Sequence, residues 1–241
     1  MIGTYVTDPR VQAFASVFHF GCLGEEKTQA DVISEAAKLR RSGLNIEAFD
    51  CEASMLPAAR DMLGGYAKLH VPIAYPAGNA TLKQKLYQLE YLLGQGIDDS
   101  CYCLDYSNLL EGDWEAVTAE TRQVMDLCRD RLPMAMVIQA TLLDDRQIVA
   151  ACEAILQGGA NRVKMNTGYG WGTSLEEVDL VHRHFNGRID IHPSGNVRTL
   201  EQVDYFLSRG VSIVHSASVF EIIAAYAQRL GLTSPAEGGA S

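Results

Sequence analysis

The sequence lacks long apolar runs, paired cysteines and clustered basic residues, and each absence excludes a class of protein. No stretch approaches the roughly 20 consecutive apolar residues of a membrane-spanning helix, and no secretory signal peptide is visible at the N-terminus. The six cysteines show no CxxC spacing, which predicts reduced thiols and a cytoplasmic location. The net charge of -10 disfavours nucleic-acid binding, which needs clustered Lys and Arg. We therefore expect a protein whose partners include neither a membrane nor a nucleic acid.

Short β-rich apolar runs alternate with longer amphipathic stretches along the 241 residues. The eight predicted strands lie at 17–20, 45–50, 70–75, 100–105, 133–139, 162–166, 188–193 and 212–217. Because each amphipathic stretch serves as a crossover helix, strict alternation requires a parallel sheet. The repeat of roughly 28 residues favours an α/β fold of the (β/α)8 type, the TIM barrel, over a doubly wound open sheet. We predict one barrel domain over 1–232 and a flexible C-terminal tail over 233–241.

Polar residues end the predicted strands, which is where the chemistry of such barrels lies. They are His19, Asp50, Tyr75, Cys101, Cys103, Asp105, Gln139, Lys164, Asn166, His192, His215, Ser216 and Ser218.

Lysine is scarce, and its distribution draws attention to one residue. Of the 20 basic residues only six are lysine, and Lys164 is the single lysine of the last 156 residues. It lies in a run suited to a buried strand. A buried ammonium without a partner is costly, and a neutral amine is a nucleophile toward a carbonyl carbon. The alternative is a structural lysine that reaches solvent or pairs with a carboxylate.

Loops rich in glycine or serine follow strands six, seven and eight. They read NTGYGWGTS, HPSGNVRTLEQ and HSASVF. Loops after strands seven and eight, together with a helix N-terminus, often bind phosphate in this fold. We therefore predict a pocket for an anion or a polyol, and a phosphorylated or carboxylated substrate remains open. The predicted substrate contacts are Asp50, Gln139, Asn166, Thr167, Gly168, Gly195, Asn196, Arg198, Ser216 and Ser218.

Long stretches of the chain are similar to one known family. They include TQADVISEAAKLRRSGLNIEAFD, TLLDDRQIVAACEAILQGGANRVKMNTGYG, PSGNVRTLEQVDYFLSRG and SASVFEII. These segments resemble the deoxyribose-phosphate aldolases, which are class I aldolases with the (β/α)8 fold. The strand-six motif Lys-Thr-Ser-Thr-Gly of that family reads Lys164-Met165-Asn166-Thr167-Gly168 here. The resemblance therefore implies that Lys164 is the lysine that forms the Schiff base.

The chain departs from this family at positions that serve proton transfer and phosphate binding. His192 stands at the family's second lysine, Cys101 at its strand-four aspartate, and Gln139 at the glutamate after strand five. The other replacements lie in the loops on the phosphate side and are Tyr169, Asn196 and His215. The resemblance therefore predicts a divergent member whose reaction differs from that of deoxyribose-phosphate aldolase.

The predicted function is a Schiff-base aldolase or lyase reaction, or an imine-assisted dehydration, on a small aldehyde, ketone or sugar-phosphate-like substrate. Lys164 is the predicted nucleophile, and His192 on the adjacent strand is the predicted general acid/base. Cys101 is predicted to relay a proton as a thiol, and Asp105 is either a replacement acid or the cap of the next helix. No cofactor is predicted, and association into a homo-oligomer is left open.

Two alternatives remain at this point. His19, His192 and His215 end strands that become neighbours in a closed barrel, where three imidazoles can bind Zn²⁺ or Fe²⁺. Alternatively, the barrel binds a metabolite without catalysis, because so many of the family's proton-transfer residues are replaced.

Overall fold

The strands form at the predicted apolar runs, and their parallel pairing closes a barrel. The computed structural model describes residues 4–170 and 172–232, and the tail predicted over 233–241 lies outside them. The strands are β1 Phe18–Cys22, β2 Ala48–Cys51, β3 Lys68–His70, β4 Ser100–Cys103, β5 Met134–Val137, β6 Arg162–Lys164, β7 Asp190–His192 and β8 Val214–Ser216. They pair in the orders β3-β2-β1-β8 and β4-β5-β6-β7.

Two further contacts join these four-stranded halves. Parallel bridges link His70 to Asp99 and Ile73 to Tyr102, and the backbone N–H of His215 donates to the carbonyl of Pro193 at 3.0 Å. The predicted (β/α)8 barrel is therefore present.

The helices cover the outside of the barrel. They are α1 Pro9–Ala15, α2 Gln29–Ser42, α3 Leu56–Leu63, α4 Leu82–Gly94, α5 Tyr106–Glu111, α6 Trp114–Cys128, α7 Asp145–Gln157, α8 Leu175–Phe185, α9 Leu200–Ser208 and α10 Val219–Arg229. Several begin at capping boxes, in which a side chain accepts from the third backbone N–H of the helix and the third side chain accepts in return. The capping residues are Thr28, Thr81, Asp144, Ser174 and Thr199.

The strict one-to-one alternation predicted from the sequence is broken after β4, where two helices follow one strand. Gly112 ends α5 in the left-handed conformation with φ 74°. The Asp113 carboxylate then accepts from the backbone N–H of Ala116 at 3.0 Å and caps α6. A glycine that allows a positive φ, followed by a capping aspartate, stops one helix and starts the next.

The third strand is regular only over Lys68–His70, although the sequence predicts a strand over 70–75. Pro72 explains the difference, because it has no N–H to donate to a neighbouring strand. Pairing with β4 resumes at Ile73, whose N–H donates to the carbonyl of Cys101 at 2.8 Å.

The apolar core lies between the strands and the helices, whereas the barrel interior carries the buried side chains His19, Asp50, His70, Lys164, His192 and His215. Large core side chains such as Phe18, Phe49 and Phe206 are buried among the helices. A small apolar cluster of Cys101, Cys103, Ala135 and Val137 fills one wall of the interior. Within the described ranges, no helix is long and apolar enough to cross a bilayer.

Candidate active site

Lys164 is the last residue of β6 and lines a cavity of about 420 Å³ at the carboxyl ends of the strands. Its side chain is only 2% exposed. Nζ lies 3.3 Å from Nδ1 of His215 and 3.7 Å from Sγ of Cys101. The amine is therefore held inside the barrel wall and reaches the cavity without meeting a carboxylate at hydrogen-bond distance.

His215 joins the amine to a buried carboxylate. Its Nδ1 lies 2.9 Å from Oδ2 of Asp50, which is 1% exposed. Burial by itself raises the pKa of Asp50, but the imidazoles of His70, His215 and His19 outweigh burial and hold the pKa well below its usual value. Burial, with Lys164 and His19 nearby, holds the pKa of His215 well below its usual value. At neutral pH the site therefore pairs an ionised carboxylate with a neutral imidazole.

His192, the predicted acid/base, is directed away from Lys164. The two residues are register partners on β6 and β7. The His192 ring nevertheless turns toward the beginning of its own strand, where Nε2 lies 3.2 Å from the Asp190 carboxylate. Burial lowers the pKa of His192 although Asp190 opposes this. In the described structure the imidazole in contact with the amine is that of His215.

Cys101 and Asp105, the other two predicted catalytic residues, lie in different surroundings. The Cys101 thiol touches the amine, and burial raises its pKa to about 11 although Lys164 opposes the shift. At neutral pH a group with this pKa stays protonated, so there is no thiolate to accept a proton and the thiol is a weak proton donor. Asp105 caps α5 instead, because its Oδ1 accepts from the backbone N–H and the hydroxyl of Ser107 at 3.0 and 2.8 Å. The geometry therefore favours the cap over the replacement acid.

Gln139 and Asn166 organise the loops and are absent from the described residues that line the cavity. The Gln139 Oε1 accepts from the backbone N–H and the hydroxyl of Thr167, both at 3.0 Å. The Asn166 Oδ1 accepts from the backbone N–H and the hydroxyl of Thr141, both at 3.1 Å, and its Nδ2 donates to Glu177 at 3.1 Å. Both side chains are thus bonded within the protein, although the sequence predicts them as substrate contacts.

The remaining predicted contacts do line the cavity. They are Asp50, Thr167, Gly168, Gly195, Asn196, Arg198, Ser216 and Ser218. Many of their polar groups already have partners. The Ser216 hydroxyl donates to the carbonyl of Val197 at 2.7 Å and accepts from the N–H of Ser218 at 2.9 Å. The Arg198 guanidinium donates to the Asn196 side chain at 3.2 Å.

The loops after β6 and β7 pack backbone against backbone. A Cβ at Gly195 would lie 2.7 Å from Cα of Gly168, and both glycines have a positive φ, of 79° and 93°. Residues without a Cβ are therefore required at both positions. This contact fixes the relative position of the two loops that form one wall of the cavity.

Further residues line the cavity that the sequence does not predict as substrate contacts. They are Gly21, Leu23, Gly24, Glu25, Glu26, Tyr75, Tyr169, Ser194, Val197 and Ala217. The Tyr75 hydroxyl donates to the carbonyl of Thr167 at 2.5 Å, and its ring meets that of Tyr169 edge-on. Because Tyr75 ends a predicted strand, its position in the sequence already indicates that it lies at the mouth of the barrel. Glu25 and Glu26 lie in the loop after β1, and no pattern in the sequence marks them.

The trio His19, His192 and His215 proposed as an alternative metal site is not assembled. The two groups of described residues whose ligand atoms lie close enough to hold an ion are His19 with His70 and Asp99, and His19 with Asp50 and His215. Neither includes His192, because its ring is turned toward Asp190.

Comparisons with known proteins find the same family that the sequence resembles. The curated deoxyribose-phosphate aldolase of Streptococcus pyogenes serotype M4 is 22% identical over 172 residues, which cover 71% of this chain and 77% of that protein. The corresponding protein of Streptococcus agalactiae serotype Ia gives the same identity and coverage. The chain is similar, at low identity, to proteins named deoxyribose-phosphate aldolase. No family model matches it.

Solved structures with a similar fold support the predicted barrel. The aldolase QR15 has a TM-score of 0.83 at 19% identity, covering 91% of this chain and 98% of that one. A tetrameric deoxyribose phosphate aldolase from Aeropyrum pernix has a TM-score of 0.76 at 19% identity, covering 90% and 92%. These likenesses confirm the predicted barrel. Association of the present chain with copies of itself stays a prediction.

Proposed function

We propose that this protein is a lyase of the aldolase type, in which Lys164 forms a Schiff base with a small carbonyl substrate. The observation that carries the proposal is the Lys164 amine, which is buried, lines the cavity and contacts His215 at 3.3 Å. The curated relatives named as aldolases support the same reaction class.

The chemistry follows from the amine and its neighbours. The nitrogen of Lys164 adds to the carbonyl carbon, and the proton that it loses passes to the carbonyl oxygen to give a carbinolamine. A second proton from the acid of the site then lets that oxygen leave as water, and an iminium ion remains. The iminium accepts the electron pair of a breaking C–C bond, or releases a proton to form the enamine that makes such a bond. Water then releases the product and regenerates the amine.

We assign the proton transfers next to the amine to His215 rather than to His192. Nδ1 of His215 lies within hydrogen-bond distance of both the amine and the Asp50 carboxylate. In the neutral tautomer with its proton on Nε2, Nδ1 accepts the proton that leaves the amine, and the new Nδ1–H then donates to Asp50. Asp50 orients the ring and stabilises the imidazolium that forms. His192 has neither contact, because it is bonded to Asp190.

Trapping with borohydride tests the proposal. The protein is incubated with a panel of aldehydes and ketones, with and without phosphate or carboxylate groups, then reduced and digested for peptide mass analysis. We expect a reduced adduct on Lys164 that disappears in Lys164→Arg. Lys85 is an internal control, because it is equally buried but holds an ion pair with Glu120 at 2.7 Å. Binding without any adduct across the panel would refute the proposal and leave a metabolite-binding barrel.

The assignment of His215 is tested separately by exchange of deuterium into the carbon beside the carbonyl of a trapped substrate. We expect His215→Asn to slow exchange by about 10²- to 10⁴-fold, which is the usual contribution of a general acid/base. The matched variant His192→Gln removes an imidazole from the neighbouring strand and should change the rate far less. Equal slowing in both variants would show that the assignment to His215 is wrong.

A further inference from the structure

A second cluster of buried histidines lies below the Lys164 site, toward the amino-terminal ends of the strands. His19 on β1 and His70 on β3 are 2% and 1% exposed, and their ring centroids are 5.3 Å apart. Asp50 lies on one side of the two rings, with Oδ1 at 3.2 Å from Nδ1 of His19 and 3.3 Å from Nδ1 of His70. Asp99 lies on the other side, where its Oδ1 is 3.9 Å from Nε2 of His70.

The polar atoms of this cluster are poorly satisfied. Nδ1 of His19, Nδ1 of His70 and Oδ1 of Asp50 are buried without a well-aligned hydrogen bond. These three atoms face one another at 3.2 and 3.3 Å, so each ring can carry its proton on Nδ1 and direct it to Asp50, which leaves the other ring nitrogen for a further partner, either water or an ion.

The donor set and its spacing distinguish between these two. One ligand atom each from His19, His70 and Asp99 can be chosen so that all lie within 4.8 Å of one another. Two atoms bound to one tetrahedral ion with bonds of about 2.0–2.2 Å lie roughly 3.4 Å apart, so small side-chain rotations bring the three atoms to that spacing. Two imidazoles and a carboxylate are typical ligands of Zn²⁺ and similar cations.

Asp50 fits the same arrangement as the residue that holds the two ligating rings. A histidine bound to a metal through one nitrogen usually donates its other N–H to a carboxylate. The Nδ1 atoms of both rings already lie at hydrogen-bond distance from Oδ1 of Asp50, while Oδ2 of the same carboxylate meets His215.

Charge and access also suit a cation. The carboxylates of Asp99 and Asp190 both lie 3.5 Å from the guanidinium of Arg162. Together with Asp50 these are three carboxylates beside one guanidinium, which favours binding of a cation. The side chains of Asp99 and Arg162 are 14% and 36% exposed, which opens the cluster toward the amino-terminal end of the barrel. An ion can therefore enter without passing the Lys164 cavity.

We propose that His19, His70 and Asp99 bind a divalent transition-metal cation of the Zn²⁺ type, with Asp50 orienting the two histidine rings. The three proposed ligands are not among the described residues that line the Lys164 cavity, whereas Asp50 contacts both His215 and the two ligating rings. The metal site does not require that Lys164 forms a Schiff base.

Metal titration tests this inference. The full chain is stripped with a chelator, desalted, and titrated with Zn²⁺ by calorimetry and with Co²⁺ by visible absorption. We expect one saturable ion per chain, and visible d–d absorption bands on binding of Co²⁺. His70→Gln and Asp99→Asn should abolish saturable binding, and Asp50→Asn should weaken it by about 10- to 100-fold, as is usual for a residue that orients a ligand.

His192→Gln is the matched control, because it removes a buried imidazole of the same barrel interior but no proposed ligand. It should bind the ion as the unaltered protein does, with folding of each variant checked by circular dichroism. Absence of saturable binding in the unaltered protein would overturn the proposal and assign the space to water. Unchanged binding in both His70→Gln and Asp99→Asn would overturn it as well. Borohydride trapping on the unaltered protein and on the His70→Gln and Asp99→Asn variants reports on Lys164 separately, because neither residue contacts Lys164 or His215 by a hydrogen bond that the described residues show.

Discussion

The close approach of the two substrate loops predicts that Gly195→Ala is unusually costly. Gly195 has φ 79°, and a methyl group there would lie 2.7 Å from Cα and 2.8 Å from N of Gly168. Neither atom can rotate away, because both belong to backbone. The substitution must therefore move one loop relative to the other.

The magnitude follows from two separate costs. Placing a residue with a Cβ in the left-handed region costs roughly 1–2 kcal/mol. Forcing a methyl group into a closely packed site costs about 1–3 kcal/mol more. We therefore expect Gly195→Ala to lower the free energy of unfolding by about 2–5 kcal/mol, which is a large part of the ~5–15 kcal/mol stability of an ordinary domain.

Gly210 provides the matched control, because its φ is 77° but a Cβ there meets no atom within 4 Å. Gly210→Ala should cost only the first contribution, about 1–2 kcal/mol. Urea unfolding of the two variants measures the difference. Borohydride trapping on Lys164 should also be slower in Gly195→Ala, since Gly168 and Thr167 line the same cavity. Equal destabilisation by the two substitutions would refute the argument that the loops are held by backbone contact.

Two further predictions concern buried groups away from these loops. The Lys85–Glu120 pair is closed at 2.7 Å and almost completely buried, so Lys85→Met or Glu120→Gln alone should cost about 3–5 kcal/mol in urea unfolding. The double variant Lys85→Met/Glu120→Gln should cost less than the sum of the two single variants, whereas additive losses would contradict a coupled pair. All six cysteines are buried, and burial raises the pKa of Cys101 to about 11, so the folded protein should react slowly with a thiol reagent at pH 8. Fast reaction of any cysteine before unfolding would contradict this burial.

The sequence was sufficient to predict the barrel and the central position of Lys164. Both follow from patterns that act locally: the alternation of runs fixes the parallel strands, and the lysine stands at the end of one of them. The helix pair after β4 was missed although its signals, Gly112 and Asp113, are adjacent in the sequence. The amphipathic pattern continues across that break and hides it.

The partner of the amine could not be predicted from strand position alone. His192 and His215 both end strands in the same barrel, and His192 is even the register partner of Lys164. The side chains differ in direction, because Asp190 draws one ring toward the start of β7 while Asp50 and Lys164 contact the other. Asp190 lies only two residues before His192 in the sequence, whereas Asp50 and Lys164 reach His215 from two other strands, so the sequence of β8 does not encode the direction of the His215 ring.

The substitutions relative to the aldolase family are therefore best explained together rather than one at a time. The resemblance implies that His192 replaces a lysine of strand seven and that the buried Cys101 thiol replaces an aspartate of strand four, so two charged groups would be missing beside the amine. It also implies that His215 replaces a glycine, and the His215 ring occupies the space between Lys164 and Asp50. A glycine there would leave the Asp50 carboxylate without its best-aligned partner and the amine without an imidazole. The resemblance thus implies that the polar contacts of the amine are now His215 on β8, whose ring Asp50 on β2 contacts, and the Cys101 thiol on β4, with Lys164 unchanged.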